Sequence, residues 1–181
     1  GVWNACPTGL SLRYEAFDIA NHDCYLESAM NFPRKPRVLF LCTGNSCRSQ
    51  MAEGFVRALG GESIEVQSAG IEAHGQNPRA VAAMAEAGID ISGQESTRLS
   101  DDMLERVDLV VTVCGHADEH CPVLPAGVER VHWPLPDPAK ATGTETEIGD
   151  TFRAVRDDIH RRVKQLLTKL RVTSSNELET T

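Results

Sequence analysis

Residues 42–49, with the sequence CTGNSCRS, have the types and spacing that most clearly indicate chemistry, because Cys42 is followed after five small or polar residues by Arg48. Such residues let successive backbone N–H groups turn toward an anion, and an arginine can hold two oxygens of a tetrahedral oxyanion. The same positive charges would favour a thiolate at Cys42. We therefore predict an oxyanion-binding loop with Cys42 as its nucleophile. The residues expected to bind the oxyanion are Thr43, Gly44, Asn45, Ser46, Cys47, Arg48 and Ser49.

Cys114 and Cys121 are a second pair of residues suited to chemistry. If the segment between them were helical, they would lie about 10.5 Å apart along the axis, whereas the Cα atoms of a disulfide lie within roughly 7 Å. A disulfide would require this segment to unwind or loop, which is the geometry of a redox switch. Two inert core thiols are one alternative. A zinc site that adds His116 and His120 is another, although compact Cys-x-x-Cys spacing is absent.

Asp137 is a third candidate, because it stands between two prolines in the segment WPLPDP at residues 133–138. Prolines stiffen a loop, and a carboxylic acid held near the oxyanion could protonate a departing oxygen. The alternative is an aspartate that only makes a turn. The histidines show no pattern of a shared site, and we expect them to be solvated or locally bonded. They are His74, His116, His120 and His132.

The elements that must position these residues alternate along the chain. Short apolar runs typical of buried parallel strands occur at residues 38–41 and 109–113, and two further strands are predicted at residues 64–67 and 129–131. Helical patterns occur at residues 51–59, 78–87 and 101–106, and a long one begins with capping-box spacing at 144–147. We predict a three-layer α/β fold, in which a four-stranded parallel sheet is flanked by helices. Ligands bind beyond the carboxyl ends of such strands, where Cys42 would lie.

The chain divides into three parts by pattern. Residues 1–36 have no sustained periodicity, and we expect an N-terminal extension there, with no role for Cys6 or Cys24. Residues 37–171 are expected to form a catalytic domain. Residues 172–181 are polar and are expected to form a flexible tail.

Composition restricts the partners and the compartment. A net charge of −8 argues against nucleic acid or an anionic membrane as the main partner. No apolar run approaches the ~20 residues of a membrane span. No secretory pattern is visible, and we expect the native start near Met30 and a cytoplasmic location. In that compartment the six cysteines are expected to be redox-active or metal-binding rather than a disulfide framework.

Several motifs together resemble one known family, the thioredoxin-coupled arsenate reductases, which have the low-molecular-weight tyrosine phosphatase fold. The resemblance covers about residues 36–170 and rests on four features in order. They are residues 42–49, the segment SAGIEAHG at residues 68–75, Cys114 with Cys121, and Asp137 followed by Pro138.

The resemblance implies a disulfide relay. Arsenate would bind in the loop, Cys42 would attack arsenic, and Asp137 would protonate the departing oxygen. Cys114 would then attack Cys42 and expel arsenite, and Cys121 would attack Cys114 to leave a disulfide that thioredoxin reduces. The electron count agrees, because As(V) gains two electrons and one dithiol supplies two. The resemblance also implies a monomer without a tightly bound cofactor, a loop that accepts phosphate or sulfate, and a structural role for Cys47.

Some of these relatives bind potassium beside the loop through Asn, Glu, Ser and Asp. Asn45, Glu53 and Ser68 match the first three positions, and Thr97 stands where the aspartate is expected. The resemblance therefore extends to a weak potassium site at most.

Two other functions use the same residues differently. A phosphatase for phosphotyrosine or a small phosphomonoester would use the loop and Asp137, with water resolving the phosphocysteine. Ala139 and Lys140 follow the Asp-Pro pair, where phosphatase relatives usually have aromatic residues, and a phosphatase has no use for Cys114 and Cys121. A non-catalytic thiol protein that binds zinc or a metalloid is the other alternative, and the complete loop argues against it.

Overall fold

A computed structural model describes residues 34–170 of the 181-residue chain. Apart from residues 34–36, the expected N-terminal extension lies outside the described residues, as do the expected tail, Cys6 and Cys24. The division into extension, catalytic domain and tail therefore stays a prediction. Among the described residues, no helix is both long enough and apolar enough to cross a bilayer.

Four parallel strands form the sheet at the centre of the fold. In chain order they are β1 (Arg37–Cys42), β2 (Glu65–Gly70), β3 (Leu109–Thr112) and β4 (Glu129–His132), and their spatial order is β2-β1-β3-β4. All of β3 and all but the first residue of β1 are buried, although alternate side chains of a strand point to opposite faces. Both faces of the central strands are therefore covered, which confirms the predicted three-layer α/β fold.

Five α-helices connect or flank the strands within residues 34–170. They are α1 (Arg48–Gly60), α2 (Pro78–Glu86), α3 (Asp101–Glu105), α4 (Gly115–Glu119) and α5 (Glu145–Lys169), and short 3₁₀ turns occur at Gly61–Ser63 and Pro138–Lys140. The predicted capping box of α5 is present, because the Thr144 hydroxyl accepts from the Glu147 N–H and the Glu147 carboxylate accepts from the Thr144 N–H. The buried stripe of α5 packs against α1 and α2.

The parallel arrangement places two cysteines at one edge of the sheet. Cys42 is the last residue of β1, and Cys114 follows the end of β3 by two residues. Leu41 pairs with Thr112, so the two strands end in register. Since β1 and β3 are neighbours, both thiols lie at adjacent carboxyl ends, where ligands bind in such folds.

Candidate active site

The loop after β1 closes tightly over the sulfur of Cys42. Asn45 has a φ of 45° and is the one residue other than glycine with a positive φ in the described chain. Asparagine tolerates this left-handed conformation better than most residues. It turns the chain so that the Asn45 N–H donates to Cys42 Sγ at 3.0 Å, while Ser49 Oγ lies 2.9 Å from the same sulfur. The loop therefore directs polar hydrogens at the nucleophile.

The buried side chain of Asn45 fixes the loop from behind. Its Nδ2 donates to Ser49 Oγ at 2.9 Å and to Ser68 Oγ at 2.8 Å. Its Oδ1 accepts from the Thr97 N–H at 2.7 Å and from Gln50 Nε2 at 3.2 Å. One amide thus joins the loop, the start of α1, the strand β2 and the segment before α3.

Backbone N–H groups within residues 71–77 form hydrogen bonds with the carbonyl oxygens of the loop. The backbone N–H groups of Ile71, Glu72, His74 and Asn77 donate to the carbonyls of Cys42, Thr43, Gly44 and Ser46 at 2.8–3.0 Å. Because these carbonyls point toward residues 71–77, they do not face the anion, and the loop N–H groups can do so. Residues 68–75 carried part of the family resemblance, but the sequence did not predict that this segment forms hydrogen bonds with the loop carbonyls.

Gly70 allows this close approach between β2 and the loop. A Cβ atom at this position would lie 2.1 Å from the carbonyl oxygen of Glu72 and 2.8 Å from the backbone of both Asn45 and Thr43. All three contacts are with backbone atoms, which cannot rotate away. The glycine opposite Cys42 in the sheet is therefore required by space.

Arg48 and Asp137 meet beside the loop, as their predicted roles require. The Arg48 side chain is buried, its Nη1 donates to the carbonyl of Leu135 at 3.0 Å, and its Nη2 lies 3.3 Å from Asp137 Oδ1. Arg48 is also the first residue of α1, whose positive end favours an anion. The carboxyl group of Asp137 is partly exposed and stands next to the oxygens that Arg48 would hold.

Opposing effects act on the pKa of the Cys42 thiol. Burial raises the pKa of its thiol, and hydrogen bonds from Ser49 and the Asn45 amide lower it. The nearby Cys114 raises this pKa further, and the charge of Arg48 lowers it. The net direction is upward, because the residue is only 4% exposed. Burial thus opposes the thiolate that the loop hydrogen bonds and Arg48 favour, and the activation of Cys42 by the loop stays a prediction.

The other two cysteines of the predicted relay stand at the two ends of α4. Cys114 is the N-cap residue of this helix, is buried, and has its Sγ 3.3 Å from Thr43 Oγ1 in the loop. Cys121 follows the helix and is partly exposed. Burial raises the pKa of the Cys121 thiol, and the charge of Arg130 opposes this. All cysteines within residues 34–170 are free thiols.

A family model of the low molecular weight phosphotyrosine protein phosphatases matches residues 37–176. The chain belongs to this family. An arsenate reductase of Halalkalibacterium halodurans is 57% identical over 130 residues, which cover 72% of this chain and 94% of that protein.

Solved structures of related proteins cover a similar share of this chain. A structure described as an arsenate reductase in the phosphate-binding state is 37% identical, covers 75% of this chain and 98% of its own, and has a TM-score of 0.62. A thioredoxin-dependent arsenate reductase of Corynebacterium glutamicum is 27% identical, covers 77% of this chain and 63% of its own, and has a TM-score of 0.63.

The potassium ligands of some family members do not form a fitting site in this chain. The Asn45 side-chain oxygen already accepts two N–H groups, and Ser68 Oγ donates to Glu53 Oε2 at 2.6 Å. The other Glu53 oxygen accepts from Arg57 at 2.6 Å, so a guanidinium neutralises the carboxylate that would attract a cation. With Thr97 contributing an N–H donor, this set does not fit a bound potassium ion.

The arrangement of side chains in this protein does not support the zinc alternative. Within residues 34–170, no three His, Cys, Asp or Glu side chains converge as ligands for a metal ion. The His116 and His120 rings instead stack at a centroid distance of 4.1 Å. Cys47 is also buried, and burial raises the pKa of its thiol to about 11; its expected structural role stays a prediction.

Proposed function

We propose that this protein is a cytoplasmic arsenate reductase whose thiols are restored by thioredoxin. The observation that supports this best is a second buried thiol, Cys114, which contacts the oxyanion loop through Thr43. A third thiol, Cys121, stands at the far end of a five-residue helix. The names of the relatives support the same reaction, because the H. halodurans protein is called an arsenate reductase and the C. glutamicum protein is described as thioredoxin-dependent.

The first step joins arsenate to Cys42. Loop N–H groups and Arg48 hold three oxygens of arsenate, and the sulfur of Cys42 attacks arsenic on the side opposite the departing oxygen. The Cys42 thiol and hydrogenarsenate give a sulfur–arsenic bond and one water molecule, so the thiol proton and the arsenate proton both end in that water. The proton that Cys42 loses reaches the departing oxygen through Asp137, which lies beside the guanidinium that holds the anion and ends the step in its starting state.

The second step reduces arsenic. The sulfur of Cys114 attacks the sulfur of Cys42, a disulfide forms, and the sulfur–arsenic bond breaks with its electron pair on arsenic. As(V) becomes As(III), and two thiols supply the two electrons. Cys121 then attacks Cys114 and frees Cys42. Because a helical segment between Cys114 and Cys121 would place them too far apart for a disulfide, we expect this transfer to require α4 to open.

A coupled assay tests the reaction. Purified protein, thioredoxin, thioredoxin reductase and NADPH are mixed, and arsenate is added. We expect NADPH consumption that Cys42→Ser abolishes and that Cys24→Ser, a cysteine variant without an assigned role, leaves intact. Cys121→Ser should complete one turnover and accumulate a Cys42–Cys114 disulfide, detected by peptide mass spectrometry. Steady turnover by Cys121→Ser would contradict the three-thiol relay.

The phosphatase alternative is tested with the same variants. A phosphatase needs the loop and Asp137 but neither Cys114 nor Cys121, so Cys114→Ser would hydrolyse phosphomonoesters at the wild-type rate. Ala139 and Lys140, rather than aromatic residues, follow Asp137 and Pro138 and offer no ring to hold a phosphotyrosine. We therefore expect hydrolysis of aryl phosphates to be at least a hundredfold slower than arsenate reduction.

A further inference from the structure

The second thiol of the relay is poorly placed to lose its proton directly to water. Cys114 is 7% exposed, and its hydrogen-bond partner among the described residues is Thr43 Oγ1 at 3.3 Å. A thiol attacks a sulfur only as the thiolate, so this proton must leave before arsenite is released. An ordinary cysteine with a pKa of ~8.5 is only about 3% thiolate at pH 7.

The hydroxyl of Thr43 connects this thiol to an exposed imidazole. Thr43 Oγ1 lies 3.4 Å from His116 Nδ1, and His116 is exposed to solvent. A hydroxyl has one hydrogen to donate and lone pairs to accept, so it can accept from sulfur while it donates to nitrogen. The three atoms therefore form a continuous path from a buried thiol to the surface.

We propose that His116 accepts the proton of Cys114 through the Thr43 hydroxyl and so acts as the base for the second step. This proposal rests on the proposed arsenate reduction. Before transfer, the thiol donates to Thr43 and Thr43 donates to the neutral Nδ1. After transfer, Nδ1–H donates to Thr43 and Thr43 donates to the thiolate. One proton moves at each hydrogen bond, and the imidazole returns its proton to solvent once the disulfide has formed.

The charges around His116 come from three parts of the chain. Glu72, on the segment behind the loop, faces it: the hydrogen bond and charge of His74 lower the pKa of that carboxyl most, and His116 and Arg98 lower it further. The carboxylate of Glu72 therefore lies within electrostatic range of both His116 and Arg98. On the same helix, the ring of His120 stacks on that of His116 and donates its Nδ1–H to the His116 carbonyl at 2.9 Å.

The helix carrying His116 links proton transfer to the later steps. His116 is the second residue of α4, and Cys114 caps the same helix. While α4 is formed, its first turn holds the imidazole over Thr43. The base is therefore in position when Cys114 must attack Cys42, which is before α4 opens for Cys121.

The decisive measurement is the pH profile of one turnover. In the Cys121→Ser background the Cys42–Cys114 disulfide is the end product, and its formation is followed by rapid quench from pH 6 to 10. We expect His116→Gln to slow this step up to about 30-fold at pH 7, since an unassisted cysteine is ~3% ionised there. The defect should disappear near pH 10, where an ordinary thiol is ionised. Equal rates at every pH, or a uniform loss at every pH, would overturn the proposal.

Two further comparisons separate proton transfer from packing. His120→Gln is the matched control, because this histidine lies on the same helix outside the path, and less than a twofold change is expected. Thr43→Ser keeps the hydroxyl and should react at least tenfold faster at pH 7 than Thr43→Val. Adding His116→Gln to Thr43→Val should cause no further loss, because both changes interrupt one path. Additive losses would refute it.

A third arm does not depend on arsenate. Iodoacetamide modifies thiolates, and its rate at Cys114 can be followed by peptide mass spectrometry in resting protein. The wild type should be alkylated at this residue faster than His116→Gln at pH 7 and equally fast at pH 10. If this difference appears but arsenate is not reduced, the proposed function fails while the proton path stands. If arsenate is reduced but the difference is absent, the proton path fails.

Discussion

Replacing Asn45 should show how much of the stability of the fold depends on the shape of the loop. The side chain donates to two buried hydroxyls and accepts from the Thr97 N–H, while Gln50 Nε2 keeps other acceptors. Loss of the Thr97 acceptor costs about 1–3 kcal/mol, and each hydroxyl contact contributes about 0.5–1.5 kcal/mol. We therefore expect Asn45→Gly to lower the free energy of unfolding by about 4 kcal/mol.

The backbone contribution is isolated by Asn45→Ala. Glycine adopts the φ of 45° without cost, whereas alanine has a Cβ that disfavours it by about 1–2 kcal/mol. The alanine variant should therefore be less stable than the glycine variant, although alanine stabilises most other positions. Urea denaturation monitored by circular dichroism measures both free energies of unfolding. A loss of about 4 kcal/mol would lower the urea concentration at the unfolding midpoint by about 2 M for a typical m value. A loss below 1 kcal/mol, or an alanine variant more stable than glycine, would refute the reasoning.

Three other changes probe the same site. Arg48→Lys loses the planar fork and should lower kcat/KM for arsenate about 100-fold in the coupled assay; less than tenfold would contradict a bidentate grip. Gly70→Ala should lower the free energy of unfolding by about 3 kcal/mol in urea, the upper end of the usual cost of overpacking, because its Cβ would meet backbone atoms. The native Cys47 thiol keeps its proton up to about pH 11, while the unfolded chain loses it near pH 9. Stability should fall between these values by up to about 3 kcal/mol, and Cys47→Ala should remove that share.

The elements were predictable from sequence because their periods are strong. The apolar runs of β1 and β3, the glycine and proline boundaries and the capping box of α5 all agree with the structure, while β2 and β4 contain exposed residues and were predicted without such a run. The start of α1 is an exception: it begins at Arg48, before the apolar stripe from residue 51. Ser49 and Gln50 are fully buried but polar, because they serve the loop, and a hydrophobic pattern does not mark such residues.

Long-range partners account for what sequence reasoning missed. The spacing within residues 42–49 indicates a loop but does not say that Thr97, 52 positions from Asn45, completes its hydrogen bonds. The contact between Thr43 and His116 spans 73 positions, so a lone histidine gave no signal. The ionisation of Cys42 depends on burial, which the loop sequence does not reveal.

In the proposed relay, the conformation of the short helix α4 depends on whether the thiols are reduced or oxidised. A fully helical segment from Cys114 to Cys121 would separate the two residues by about 10.5 Å along its axis, more than the roughly 7 Å that a disulfide allows, so we expect the proposed disulfide to require α4 to open. If the proposed Cys114–Cys121 disulfide forms, the reduced and oxidised proteins would therefore differ in shape near Cys121, which is partly exposed. A reductant that recognises the opened segment would bind the oxidised protein and not the reduced one. Its selectivity for the oxidised form would then come from the opening of α4 alone.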